Sequence, residues 1–342
     1  MINPKDIDFY SLGFEFIETR SMFVSNFKNG SWDEGKLMPF GKFEISPAAC
    51  VLNYGQGIFE GMKALRAKNG EITLFRPEEN GKRFNKSAKR MLMPEYDLDK
   101  FIKGIKIVVK ANEDYIPPHD SGGALYIRPM LFGNGPMLGV APAKEFKLII
   151  FTAPVGPYFP EGFKGIDLEI SKTYTRAAPG GTGSTKTICN YAGTMLPAKE
   201  AKSRGFAQIL YLDAINLEFI EEVGAANFFG IINGKLATPR KTGTILEGIT
   251  REAVLELASK NLGLEVEERD ISYRELFEES CSEVFCSGTA AVITPIASVS
   301  FDGKQRIFNN KKPGTITTKL YEILTGIQRL EIEDKFGWMV LV

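Results

Sequence analysis

The chain has 342 residues, of which 44% are hydrophobic and 25% charged, with 42 Lys plus Arg set against 42 Asp plus Glu. Such a balance offers no basic face for nucleic acid, and no run of about 18 apolar residues offers a membrane span. The length suits roughly two domains with a substantial buried core.

The opening MINPKDIDFY lacks an apolar run, so no secretory signal is expected and a cytoplasmic setting is. Cys50, Cys189, Cys281 and Cys286 form no C-x-x-C pair, which predicts reduced thiols and no zinc site. The one histidine, His119 in IPPHD, leaves no His-based metal centre and no Ser-His-Asp triad. Proton transfer therefore falls to a lysine, a carboxylate or a tyrosine.

In chain order, the first half offers short strands at 43–45 and 70–75. A helix follows over 78–93, with Phe84, Ala88, Met91 and Leu92 near one face. A second helix over 99–113 gathers Ile102, Ile105, Val108 and Val109. Strands are expected at 125–128 and 146–152. Prolines and glycines in APVGPYFPEGF mark a connector. The second half predicts strands at 166–170 and 205–213. A hairpin of 228–232 and 235–237 turns through Asn233-Gly234. A helix over 250–262 takes Thr250 as N-cap and Gly263 as its stop. Irregular mixing of strands and helices predicts an α+β fold of two domains: 1–153, a connector 154–163, and 164–342.

The stretch TRAAPGGTGSTKTICNYAGT, residues 175–194, carries the chemistry. Lys186 follows a glycine run, and glycines let backbone approach a ligand closely. A lysine so placed can lose its proton or form a Schiff base. Downstream, Glu222 stands in EEVGAANFF. A lysine to hold an aldehyde and an acid to hold a ring nitrogen suggest pyridoxal 5'-phosphate. A nucleotide phosphate loop, hence a phosphotransferase, is the competing reading. It needs glycine directly before the lysine, where Thr185 stands.

Six segments taken in order resemble the branched-chain amino acid aminotransferases, fold type IV enzymes of pyridoxal phosphate. They are NYGQGIFEGMKAL, LYIRPMLFGNGPMLGV, the 175–194 stretch, EEVGAANFF, TGTILEGITREAV and EVFCSGTAAVITPI. The resemblance implies two α/β domains with the cofactor between them, and a homodimer. It makes Lys186 the Schiff-base lysine, Glu222 the partner of the pyridine nitrogen and Tyr191 a partner of the ring oxygen. Arg83, Ile249, Thr250 and Thr289 would hold the phosphate, with Arg76 the rival to Arg83. Tyr54, Phe59, Tyr126, Arg128 and Ala290 would line the substrate pocket.

The implied reaction is reversible amino transfer between L-leucine, L-isoleucine or L-valine and 2-oxoglutarate. Ala291 and Thr294 stand where some relatives carry a redox cysteine pair, and Ala225 where some carry threonine. D-amino acid aminotransferase and aminodeoxychorismate lyase share the fold and are the nearest alternatives. The LYIRP and GMKAL segments argue against both.

Overall fold

The computed structural model describes residues 2–157 and 162–342, so part of the expected connector, 158–161, lies outside the described residues. Two compact units emerge. The first holds Met1–Pro160, Thr185–Cys189 and Gly326–Val342, and the second holds Glu161–Ser184 and Asn190–Thr325. A division at one connector puts 185–189 and 326–342 in the second domain, whereas here both segments pack in the first unit. Main-chain bonds are the reason. The Phe59 amide donates to the Lys186 carbonyl at 3.1 Å and the Ile188 amide to Gly57 at 3.1 Å. At the C-terminus, Met339–Leu341 pairs antiparallel with Ile72–Phe75.

The first unit carries β1 (Ser21–Lys28), β2 (Ser31–Trp32), β3 (Lys36–Pro39), α1 (Cys50–Tyr54), β4 (Gly57–Phe59), β5 (Met62–Arg66) and β6 (Ile72–Phe75). Then come α2 (Pro77–Arg90), α3 (Leu98–Ala111), β7 (Ala124–Gly133) and β8 (Phe146–Val155). One sheet runs β6-β5-β7-β8-β1-β2, with β3 beside β1 and β4 beside β7. Strands β4 and β5 share one edge of β7: Phe59 lies opposite Met130, and Met62 opposite Ile127. Glu60 and Gly61 fill the break between them. The Glu60 amide donates to Pro129 at 2.8 Å. A proline has no amide to offer, so it sits without loss where the ladder is interrupted.

Helix α2 buries Phe84 and Ala88, and α3 buries Phe101, Ile105, Val108 and Val109. The Phe84 and Phe101 rings meet at 5.1 Å. Asp97 caps α3, accepting from the Lys100 amide at 2.8 Å. Leu92, expected on the buried face, is 70% exposed, because α2 ends at Arg90 and Leu92 turns left-handed with φ 51°. The expected strand at 43–45 is absent; Phe43 stacks on Phe132 at 5.7 Å instead.

The second unit carries β9 (Ile166–Ile170), α4 (Met195–Ser203), β10 (Gln208–Leu212), β11 (Ile220–Val223), β12 (Ala226–Ile232) and β13 (Lys235–Pro239). It continues with α5 (Ile249–Lys260), β14 (Val266–Arg269), β15 (Cys281–Gly288), β16 (Val292–Phe301) and β17 (Lys304–Ile307). Strands β11-β10-β9-β16-β15-β12 follow one another, and β12 pairs back to β11, so the sheet closes on itself. Strand β9 runs parallel to both β10 and β16, and the rest of the ring is antiparallel. Leu168, Leu210, Phe228, Val284 and Ile296 belong to its core.

Asn233 and Gly234 turn the β12–β13 hairpin with φ of 52° and 75°, the left-handed pair that a type I′ turn needs. Gly263, at φ 63°, follows α5 as expected. The N-cap of α5 is Gly248 rather than Thr250. A Cβ at 248 would lie 2.0 Å from Asn227 Oδ1, so only glycine lets this helix start lie so close to β12.

Candidate functional site

In the first unit, Lys186, Arg83 and Arg128 form a partly buried cationic group around the buried Glu60. The Lys186 amide donates to Ser87 Oγ on α2 at 3.1 Å, and its Nζ lies 4.5 Å from the centre of the Phe59 ring. Burial, reinforced by the nearby Arg83 charge, lowers the Lys186 amine to about 8, against the opposing pull of Glu60. A lysine so lowered has a usable fraction of free amine near neutral pH.

Arg83, one turn before Ser87 on α2, grips Glu60 with Nε and Nη2, both at 2.8 Å. Its rival Arg76 is engaged elsewhere. It precedes α2 at φ 46° and lies over the Trp338 ring at 5.6 Å.

Of the expected substrate residues, Phe59, Tyr126 and Arg128 meet on the first sheet. Arg128 lies 4.9 Å from the Phe59 ring centre and donates to Tyr126 Oη at 3.4 Å. A Cβ on Gly61 would lie 2.1 Å from that hydroxyl, so glycine makes room for Tyr126. Arg128 Nε is buried with no hydrogen-bond partner, which favours an anionic group beside it. Tyr54 ends α1, 40% exposed, with its hydroxyl donating to the Leu138 carbonyl. Lys63, opposite Tyr126 in register, was not singled out by sequence, yet burial and Arg329 lower its amine to about 8 as well.

In the second unit, register places Glu222, Asn227 and Ser287 in one row across β11, β12 and β15. Directly opposed residues share a face. Asn227 donates to Glu222 Oε1 at 3.0 Å and to the Leu246 carbonyl at 2.8 Å, which ties the row to the segment leading into α5. Arg176 Nε lies 2.6 Å from Glu222 Oε2, with the two side chains 3% and 1% exposed. The Arg176 Nη1 donates to the Thr244 carbonyl at 2.9 Å.

Helix α5 starts at Ile249 and Thr250 with no side-chain cap, so its first amides are available to an anion. Thr289 and Ala290 form the turn after β15, and Ser287 Oγ just before it is buried without a hydrogen-bond partner. Burial raises the carboxyl of neighbouring Glu221, although Thr244 donates to it and Arg176 opposes the shift.

Tyr191 lies in the short helix Cys189–Ala192, and Asn190 beside it clasps Thr182 with bonds of 2.6 and 2.7 Å. The glycine run serves packing here. A Cβ on Gly183 would lie 2.2 Å from the Thr244 carbonyl oxygen, and Gly180 takes φ 78°. Arg176 and Glu60 escaped the sequence reading, since a buried ion pair looks like any surface charge in a string of letters. The signal available was the position of Arg176 inside the motif that already stood out.

His119 pairs with Glu331 at 2.8 Å. The four cysteines are free. Among the described residues no group of three or more His, Cys, Asp or Glu could hold a metal, and no helix is long and apolar enough to cross a membrane.

The donor set fits pyridoxal phosphate. The cofactor presents an aldehyde, a phosphate and a basic ring nitrogen. The chain offers a partly buried lysine lowered to about 8, a guanidinium on α2, an uncapped helix start, an unpartnered buried hydroxyl and a buried carboxylate fixed by arginine.

The family model for class IV amino-transferases matches residues 57–299. The chain is 44% identical over 336 residues to the chloroplastic branched-chain amino acid aminotransferase 2 of Humulus lupulus, covering 98% of this chain and 81% of that one. It is 45% identical over 316 residues to a probable branched-chain-amino-acid aminotransferase of Staphylococcus aureus, covering 91% and 87%. The Escherichia coli branched-chain amino acid aminotransferase structure aligns at TM-score 0.80 and 30% identity, over 94% of this chain and 99% of that one. A Thermobaculum terrenum branched-chain aminotransferase in its PLP form aligns at TM-score 0.80 and 25% identity, over 95% and 98%. This chain belongs to the class IV amino-transferases.

Proposed function

We propose that the chain is a pyridoxal phosphate-dependent branched-chain aminotransferase. It exchanges the amino group between L-leucine, L-isoleucine or L-valine and 2-oxoglutarate. The observation that carries this is the match at 44% identity to a named branched-chain enzyme over 98% of the chain. Lys186, set in the matched region with its amine lowered to about 8, supports it.

Bound pyridoxal phosphate would supply the electron sink that makes the amino acid α-proton acidic. Lys186 would hold the cofactor at rest. Its Nζ, with the amine lowered to about 8, would be the base that moves that proton. Glu222, paired with Arg176, would hold the ring nitrogen. Tyr191 would bond the ring oxygen.

Arg83, the amides of Ile249 and Thr250, and Thr289 would bind the phosphate. Tyr54, Phe59 and Tyr126 line the side-chain pocket, where aromatic walls suit a branched aliphatic group. Arg128 meets the distal carboxylate of 2-oxoglutarate, for which its unpartnered Nε is suited. The Ala290 amide meets the α-carboxylate.

A cytoplasmic homodimer completes the reading. Its support is an exposed apolar group: Leu52 on α1 is 60% exposed, and Leu138 and Val140 are 95% and 87% exposed. Sedimentation of the purified chain tests the dimer, and a monomer at working concentration contradicts it. For the reaction, the purified chain receives L-leucine and 2-oxoglutarate, and 4-methyl-2-oxopentanoate and glutamate are measured. Formation of both, with none of the corresponding activity on D-alanine or aminodeoxychorismate, is the expected result. Turnover of D-alanine alone would move the chain to a fold-mate activity.

A further inference from the structure

Glu60 is fully buried, in the break between β4 and β5, and is ringed by donors. Arg83 offers it Nε and Nη2, each at 2.8 Å. Asn80, on the same helix, adds Nδ2 at 2.8 Å, and the Gly61 amide lies at 3.3 Å. One residue away, Phe59 bonds to the Lys186 main chain and carries the Lys186 ammonium over its ring. One carboxylate therefore stands between two cations that the proposed function assigns to different ends of the cofactor.

The groups that act electrostatically on the Lys186 amine are Arg83 on α2, Tyr126 and Arg128 on β7, and Glu60. Arg83 and Arg128 push the amine towards its neutral form, while Glu60 and Tyr126 push the other way. Glu60 stays ionised despite burial, held below its usual range by Arg83 first and by Lys186 as well.

We propose that Glu60 is a positioning residue with two linked roles. It fixes the Arg83 guanidinium on α2, and it supplies the buried negative charge that sets how readily Lys186 gives up its proton. The inference rests on the proposed role of Lys186 as the residue that captures the cofactor aldehyde.

Two opposite shifts follow from charge alone. Removing the Glu60 charge takes away what stabilises the Lys186 ammonium, so the amine becomes free at lower pH. Removing the Arg83 charge leaves Glu60 facing Lys186 without competition, so the amine becomes free only at higher pH. A residue that merely filled space would give neither pattern.

The test uses the full chain freed of cofactor and pyridoxal without its phosphate, so that the phosphate grip of Arg83 does not enter. The rate at which the visible absorption band forms is measured against pH for the wild type, Glu60→Gln, Glu60→Asp and Arg83→Gln. Lys186→Ala serves as control. The expected midpoint falls by about one pH unit or more in Glu60→Gln, a roughly tenfold rate gain on the acidic limb. It stays within about half a unit of wild type in Glu60→Asp, which keeps the charge, and rises in Arg83→Gln. An unmoved or raised midpoint in Glu60→Gln overturns the proposal. Should that variant not fold, an unmoved or lowered midpoint in Arg83→Gln overturns it. A wild-type band that persists in Lys186→Ala would instead defeat the assignment of Lys186, leaving a different signature.

Discussion

The two units gather opposite charge at the residues that carry the site. Around Lys186 the first unit sets Lys186, Arg83 and Arg128 against one carboxylate, Glu60. Along the β11–β12 edge the second unit sets Glu221 and Glu222 against one guanidinium, Arg176. A balanced chain would gain nothing from leaving either excess out of water, since unpaired buried charge is costly. Each imbalance is what a ligand of opposite sign would neutralise. The cationic group suits phosphate and carboxylate, and the acidic group suits a protonated ring nitrogen.

The strongest effect is chemical. Lys186→Ala lowers amino transfer by at least about a thousandfold in steady-state assays, the scale of a lost general base, while the circular dichroism spectrum stays unchanged. Ordinary turnover there would break the contrast, because the cationic group would then have no chemical role.

Next come the buried partners in the acidic group. Arg176→Met leaves Glu222 buried without its cation, and Glu222→Ala leaves Arg176 in the converse state. Urea denaturation should show each losing about 3–5 kcal/mol of stability. A double variant that loses far less than the sum would establish that the two form one unit. Additive losses would contradict it.

A smaller effect follows at the glycine run. Gly183→Ala forces a Cβ to within 2.2 Å of the Thr244 carbonyl and should cost about 1–3 kcal/mol, read as a lowered melting temperature. A neutral result would return this glycine to the role of letting a ligand approach.

The gentlest prediction concerns pH. With the Lys186 amine at about 8, capture of pyridoxal phosphate should rise as pH climbs through that value and level off above it. The same lowering has a stability sign. Between about 8 and the ordinary lysine value of 10.5 the unfolded chain binds more protons than the folded one, so this group's contribution to stability grows with pH there.

Sequence made some of this legible and hid the rest for physical reasons. Periodic apolar faces gave α2 and α3, and Asn233-Gly234 gave its hairpin, because those signals are local. The motif around 175–194 drew attention to Lys186. Local signals could not show that 185–189 packs along β4, or that Met339–Leu341 completes the first sheet, since both depend on long-range pairing. Glu60, Arg176 and Asn227 remained hidden because their meaning lies in partners distant in sequence. The strand expected at 43–45 failed because Phe43 stacks on Phe132 rather than joining a ladder.

Both Lys186 and Lys63 are lysines lowered to about 8, so the chemistry turns on which of them captures the cofactor. The direct measurement is to load the protein with pyridoxal phosphate, reduce it with borohydride, digest it and locate the labelled lysine by mass spectrometry. The label is expected on the peptide containing Lys186, with none on Lys63. A label on Lys63, or none on either, would overturn the assignment of Lys186.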